Sequence, residues 1–258
     1  MPSDQVQTLQ RAFRLLDCFT QDSPDLGVRE IARMVNLSSS TTGRLLAAMK
    51  EAGILSQNPK TRTYLLGPKV LLWAGIYSNT LDIRLRALRY LQELRHTTQE
   101  TVTLYILDAY DRVCVERMES PHNVRITSRI GQRLPLYAGS AGKAMLAFLP
   151  LARREELLHS TDLVPLTGKT IVDPDRLRLE IEQVRKDGYA VSRGEWLVDA
   201  SEVAAPVFDQ NGDVIAAVTV SGPAQRFTDE AIAHHIPSIL TAAALISKEL
   251  GYQDSSSR

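Results

Sequence analysis

Apolar residues recur at Val6, Leu9, Phe13, Leu16 and Phe19, a spacing that predicts an amphipathic helix. Asp22-Ser23-Pro24-Asp25 then breaks the chain. A short second helix is expected from Val28 to Val35, with Ile31, Ala32 and Val35 on one face. Leu37-Ser38-Ser39-Ser40 reads as a turn whose serines can cap a third helix. That helix runs from about Ser40 to Ala52, turns Leu45, Leu46 and Met49 to the core, and ends at Gly53. Ile54 to Leu66 predicts two short strands around Asn58-Pro59-Lys60-Thr61.

Beyond Gly67-Pro68 the pattern changes. Val70–Tyr77 is a strongly apolar helix, and Leu81–His96 an amphipathic one with Leu85, Leu88, Leu91 and Leu94. Strands are expected at Thr101–Leu107, Val113–Met118 and Val124–Arg129, whereas Leu134-Pro135-Leu136-Tyr137 makes a poor strand. Helices follow at Ser140–Phe148, Arg153–His159 and Pro174–Asp187. Late strands fall at Tyr189–Ser192, Glu202–Phe208 and Val214–Val220, the last two joined through Asp209-Gln210-Asn211-Gly212 as a hairpin. Thr228–Leu250 is a closing helix that Pro237 is expected to kink or interrupt, and Gln253–Arg258 a disordered tail.

Helix, short helix, tight turn, helix and ribbon together spell a winged helix-turn-helix. A major groove accepts one helix while the preceding one braces it across the backbone. The exposed face of the third helix would present Ser39, Ser40, Thr41, Thr42 and Arg44, with Lys60 and Arg62 on the wing. Short hydroxyls reach phosphates and base edges, and Arg is the commonest reader of guanine. The alternative at this point is a trihelical packing unit whose Ser/Thr cluster only caps a helix.

Composition narrows the choice. The chain has 258 residues, 44% of them hydrophobic and 23% charged, which suits two compact globular domains. Its formal net charge is zero, excluding a uniformly basic nucleic-acid coat protein. The first 75 residues nevertheless hold nine Lys and Arg against six Asp and Glu, the sign expected of a DNA-reading head. No apolar run reaches about 18 residues, and Met1-Pro2-Ser3-Asp4-Gln5 lacks a secretory pattern, so a cytoplasmic protein off the membrane is expected. Cys18 and Cys114 form no CxxC pair and read as buried thiols. No motif calls for a metal or a cofactor.

The most unusual segment is Leu134-Pro135-Leu136-Tyr137-Ala138-Gly139-Ser140-Ala141-Gly142-Lys143-Ala144. A phosphate-binding P-loop fails because Tyr137 and Ala144 stand where glycine and Ser or Thr are needed. A nucleophile elbow misses only its first glycine, so a serine hydrolase using Ser140, with Asp229 and His234 or His235, is the rival reading. A third possibility is an anion-binding turn, in which free N–H groups at a helix start and the Ser140 hydroxyl attract a carboxylate or phosphate. A turn that only packs is the fourth.

In the head, Val28-Arg29-Glu30-Ile31-Ala32, Leu37 to Leu46 and Gly53-Ile54-Leu55 resemble the IclR-type bacterial transcriptional regulators. In the body, Gly139-Ser140-Ala141-Gly142-Lys143-Ala144, Val203 to Asp209 and Ala216 to Pro223 are similar to the same family. The resemblance runs from about Val6 to Tyr252. It implies an α+β architecture: a winged helix-turn-helix domain over 1–67, a linker helix over 68–80, and a GAF-like effector-binding domain with a curved antiparallel sheet over 81–252, before the tail 253–258. The implied partners are double-stranded operator DNA, a small-molecule effector that is a carboxylic acid, and further copies of the chain in a homodimer or dimer of dimers. Carried over position by position, the pocket takes Ile126 and Leu134, Gly139, Ser140 and Ala141 at the loop, Ser192, Ala200 and Glu202, then Thr219 and Ser221. The chain departs from the family where three serines, Ser38–Ser40, replace a proline or alanine and a lysine, where Ser192 replaces an aspartate, and where Glu202 replaces a cysteine. Trp196 is either a lid on this pocket or surface packing.

Overall fold

The computed structural model describes residues 4–80, 82–160 and 162–253. The chain divides into two compact units at the Thr80/Leu81 boundary. In the first, α1 (Asp4–Leu16) is followed by β1 (Asp25–Leu26), α2 (Val28–Met34), α3 (Ser39–Glu51), β2 (Leu55–Gln57), β3 (Tyr64–Leu66) and α4 (Pro68–Thr80). Asp25, expected only as part of a break, instead begins a third, two-residue strand that pairs with β3. Leu15, Ile31, Leu46, Met49, Leu55 and Tyr64 form the core of this unit. Gly67 lets α4 start against the ribbon: its N–H donates to Ile54 O at 2.7 Å, and a Cβ there would stand 2.5 Å from Gly53 O.

The second unit comprises α5 (Asp82–Thr98), β4 (Thr101–Asp108), β5 (Asp111–Met118), β6 (Arg133–Pro135), α6 (Ser140–Phe148), α7 (Leu151–Ser160), α8 (Pro174–Asp187), β7 (Ala190–Arg193), β8 (Ala200–Phe208), β9 (Val214–Pro223) and α9 (Asp229–Glu249). Its strands make one curved antiparallel sheet in the order β6-β5-β4-β9-β8-β7. Alternate residues face opposite sides. Leu104, Val203, Ala205, Val218 and Val220 pack against α5 and α9 through Leu91, Leu94, Ile232 and Ile239. Tyr105, Cys114, Ala204 and Ala217 face α6 and α8 through Ala141, Ala144, Met145 and Ile181. The fold thus has helices on both faces of a buried sheet, and the Gly139–Ala144 loop lies on the second face.

Two expectations need correction here. Val124–Arg129 has no strand pairing; the sheet edge is instead Arg133–Pro135, which the proline tolerates because an edge strand needs no second ladder. Of the two outcomes expected at Pro237, interruption does not occur: α9 runs unbroken from Asp229 to Glu249, its Ile232, Ile239, Ala242 and Ile246 held on the sheet. Tertiary packing of that apolar face outweighs the one backbone hydrogen bond lost at a proline. Cys18 and Cys114 are both buried and free, as expected. Leu81 and the tail beyond Gln253 lie outside the described residues. Among the described residues no helix is long and apolar enough to cross a membrane.

Candidate nucleic-acid interface and effector site

The turn between α2 and α3 is tight because Asn36 takes a left-handed φ of 55° and Leu37 N–H donates to Ala32 O at 3.0 Å. Ser38 caps α3, its hydroxyl oxygen accepting from Thr41 N–H at 3.1 Å and donating to Thr41 Oγ1 at 2.9 Å. Ser39, Ser40 and Arg44 are exposed, and Thr41 is half-buried. Thr42 is not available to a partner: it is 0% exposed. It stands four residues before Leu46 and seven before Met49, on the buried stripe of α3. Sequence spacing placed it one residue off the stripe by starting the buried face at Leu45.

Lys60 and Arg62 stand exposed at the ribbon tip. Asn58 Oδ1 shapes the turn by accepting from Lys60 N–H at 2.9 Å and Thr61 N–H at 3.3 Å. Gln57 ties the tip to α3, donating to Arg62 O at 3.0 Å while accepting from Lys50 Nζ at 3.0 Å. The two wing cations and Arg44 make no hydrogen bond or ion pair through their charged groups among the described residues, so their charges are free to meet phosphate or base.

In the second unit the strand register builds one row of side chains. Ser192 on β7 pairs with Glu202 on β8, Glu202 with Ser221 on β9, and Ser221 with Thr101 on β4. The next row is Ala204, Thr219 and Thr103. Residues opposite one another share a face, so Ser192, Glu202, Thr219 and Ser221 come together as expected. Ala200, two residues before Glu202, lies on the same face and is buried. Thr219 and Ser221 donate to Thr103 O and Thr101 O, each at a long 3.5 Å. Leu134 pairs with Arg112 across the β5–β6 ladder, and Ile126 is half-buried in the irregular segment before β6. That segment is pinned at Ser128, whose Oγ lies 2.5 Å from the Tyr105 hydroxyl.

The helix start is where expectation and structure part. Gly139 adopts φ 81°, a conformation that favours glycine, and opens α6. Its N–H donates to Glu195 Oε2 at 3.1 Å, and Ser140 N–H donates to Glu202 Oε1 at 2.6 Å. Lys143, 0% exposed, donates to Glu195 Oε1 at 2.6 Å, Glu180 Oε1 at 2.8 Å and Val191 O at 2.9 Å. These two amides, expected to be open to an effector anion, are therefore taken by the chain's own carboxylates. Glu202 faces inward and is 2% exposed.

Several buried polar atoms on this face have no hydrogen-bond partner among the described residues: Ser140 Oγ, Ser192 Oγ, Thr103 Oγ1, Trp196 Nε1, and Nε and Nη2 of Arg112. Arg112 is fully buried, held by donation from Nη1 to Pro135 O at 3.1 Å and to Ala138 O. The sequence reading passed over Arg112, Tyr105, Thr103 and Glu195. Arg112 could have been found, since it lies in phase with Cys114 on a strand that alternates inward and outward. Burial pushes the Cys114 thiol up to about 12 and the Tyr105 hydroxyl above its ordinary value, so both stay protonated and neutral near pH 7. Among the described residues no cluster of three or more His, Cys, Asp or Glu could hold a metal ion.

The hydrolase geometry is absent. Asp229, His234 and His235 lie on α9, which packs on the opposite face of the sheet from α6 and Ser140. A catalytic base would have to reach through the sheet.

Comparison with known proteins agrees with both units. Residues 8–59 match the IclR helix-turn-helix domain, and residues 76–248 match the bacterial transcriptional regulator IclR C-terminal domain. The chain is 32% identical over 247 residues to the HTH-type transcriptional regulator XynR of Escherichia coli, covering 96% of this chain and 98% of that one. The crystal structure of the Thermotoga maritima IclR is similar with a TM-score of 0.79 at 33% identity, covering 96% of this chain and 100% of that one. An IclR homolog from Microbacterium hydrocarbonoxydans, solved in complex with 4-hydroxybenzoate, is similar with a TM-score of 0.81 at 28% identity, covering 94% and 98%.

Proposed function

The chain belongs to the IclR family, as a DNA-binding transcriptional regulator with a C-terminal effector domain, and from that premise we propose how its residues divide the work. Residues 1–67 bind operator DNA, 68–80 link, and 81–252 hold the effector. Ser39, Ser40, Thr41 and Arg44 meet the major groove, while Lys60 and Arg62 meet the backbone beside it. Thr42 supports α3 from within. Two or four copies of the chain bind together in the cytoplasm, and no catalytic step is involved.

The effector is a carboxylic acid held on the α6-facing side of the sheet, among Ile126, Leu134, Gly139, Ser140, Ala141, Ser192, Ala200, Glu202, Thr219 and Ser221. One observation carries this reading. Buried polar atoms are almost always paired, yet hydroxyls from α6, β7 and β4 and the Arg112 cation stand unpaired on one face. Such a cluster is stable when a polar ligand completes it. The 4-hydroxybenzoate bound by the Microbacterium relative is itself a carboxylate. Effector occupancy then shifts operator affinity by a coupling of about 1–3 kcal/mol.

The test is selection of bound sequences from a random duplex pool, followed by release assays with a carboxylate library. A two-half-site sequence should be enriched, and at least one carboxylate should change its affinity. Enrichment of no sequence, with binding that depends only on salt, would overturn the operator reading.

A further inference from the structure

Deepening the proposed effector site, and resting on that reading of the face, we propose that Arg112 is its anion receptor and that Glu202 selects for a donor beside the anion. The pocket then takes a carboxylate carrying a neighbouring hydroxyl or ammonium group.

Arg112 is 0% exposed, and Nη1 spends its hydrogens on Pro135 O and Ala138 O. Those bonds fix the plane of the guanidinium, and the Tyr105 ring lies 5.2 Å from its central carbon. Nε and Nη2 have no hydrogen-bond partner among the described residues. They form the edge of the fork whose two parallel N–H bonds match both oxygens of one carboxylate. Leaving a buried charge uncompensated is costly, so an anion meeting that edge would be held strongly.

A Cβ on Gly139 would stand 2.7 Å from Arg112 Nη2, 2.7 Å from Glu202 Oε1 and 3.0 Å from Trp196 Cδ1. Three side chains from β5, β8 and the β7–β8 loop therefore meet over one glycine. Trp196 Nε1, bonded to Cδ1, is a further buried donor without a partner, and Ser140 Oγ is another. Arg112 and Glu202 form no ion pair with each other among the described residues, so opposite charges face one another across a gap.

The Gly139 and Ser140 amides at the start of α6 are occupied by Glu195 and Glu202. An incoming carboxylate then meets the Arg112 edge, the Trp196 N–H and the Ser140 hydroxyl. Glu202 repels a bare anion, but its Oε2 accepts no hydrogen bond among the described residues. A hydroxyl or ammonium next to the ligand's carboxylate donates there and turns the repulsion into a bond.

The experiment uses the full chain and its selected operator. Matched carboxylates bearing hydrogen, hydroxyl or ammonium at the neighbouring carbon, with their primary amides as controls, are scored by thermal shift and by operator release. Hydroxy or amino carboxylates should be the ones that act, the two arms showing which donor is preferred. Arg112→Met should weaken them by about tenfold or more. Arg112→Lys, which keeps the charge and loses the fork, covers the case in which the first variant fails to fold, and should also weaken them. Glu202→Gln should narrow the gap between carboxylates with and without the donor. Unchanged affinity in a folded Arg112 variant, or a response to plain carboxylates or amides alone, overturns the proposal. If the protein responds to other compounds and Ser140→Leu abolishes that response, the effector face stands and only this assignment falls. If nothing acts, or Ser140→Leu is indifferent, the reading of the face falls with it.

Discussion

Ser140 donates its backbone N–H to the Glu202 carboxylate at 2.6 Å, joining the first turn of α6 to the third residue of β8. The bond sets a carboxylate at the positive end of a helix and satisfies an amide that water does not reach. Glu202→Ala removes the acceptor and leaves that amide buried and unpaired. It should destabilise the protein by about 1–3 kcal/mol. Glu202→Gln keeps an acceptor oxygen and should lose less. Urea unfolding followed by circular dichroism measures both; equal stability of Glu202→Ala and the native chain would show that the bond does not hold the helix start.

On α3, exposure separates readers from supports. Arg44→Ala should weaken specific operator binding by about 1–3 kcal/mol and relax sequence preference. Lys60→Ala should weaken binding to all sequences alike and lower the salt slope by about one unit. Thr42→Val should do neither, because its hydroxyl is buried without a hydrogen-bond partner among the described residues. Fluorescence anisotropy at several salt concentrations distinguishes the three, and a relaxed preference in Thr42→Val would contradict its place in the core.

Assembly follows from what α4 leaves uncovered. Leu71 is 77% exposed, Leu72 60% and Ile76 56%, and on α1 Leu9 and Phe13 are each 57% exposed. Exposed apolar patches of this kind mark interaction sites. Light scattering at micromolar concentration should return a dimer or dimer of dimers. Burying a leucine is worth about 1.5–3 kcal/mol, and a two-fold interface contains each residue twice. Leu71→Glu should therefore weaken association by about 3 kcal/mol or more. A native chain that runs as a monomer would refute this.

Much of this was legible in the sequence because it depends on local periodicity. The helix-turn-helix shows in the spacing of Ile31, Leu46 and Met49, and the same-face pairing of Thr219 and Ser221 follows from a period of two. What was not legible depends on neighbours distant in the chain. Nothing local says that Glu195 and Glu202 reach the start of α6, some 56 and 62 residues away from their amide partners. Thr42 illustrates the narrower limit: one residue of phase on a helix moves a side chain from groove to core. Pro237 shows propensity overruled by packing, since α9 has an apolar face long enough to hold through it.

The last prediction concerns acid. His235 on α9 is 8% exposed, its ring 5.4 Å from the Phe227 ring, and its Nδ1 has no hydrogen-bond partner among the described residues. Burial, and then the nearby His234, hold its pKa below the ordinary histidine value, while Glu100 acts weakly the other way. Glu100 is itself committed to Arg226, with Oε1 2.5 Å from Nε and Oε2 2.8 Å from Nη2. In the unfolded chain His235 takes up a proton near its ordinary pKa of about 6.5. The folded chain resists until the pH is lower, so between those two pH values the unfolded state binds more protons, and stability rises with pH and is lost as the pH falls. Above the ordinary value both states are neutral and the residue contributes no slope. His235→Phe removes the titrating group while filling the same apolar space beside Phe227. Its melting temperature should fall less steeply than that of the native chain as the pH drops below about 6.5, with the two profiles parallel above it. Parallel profiles over the whole range would mean that His235 is protonated in the folded protein as readily as in the unfolded one, and that its burial has no electrostatic consequence.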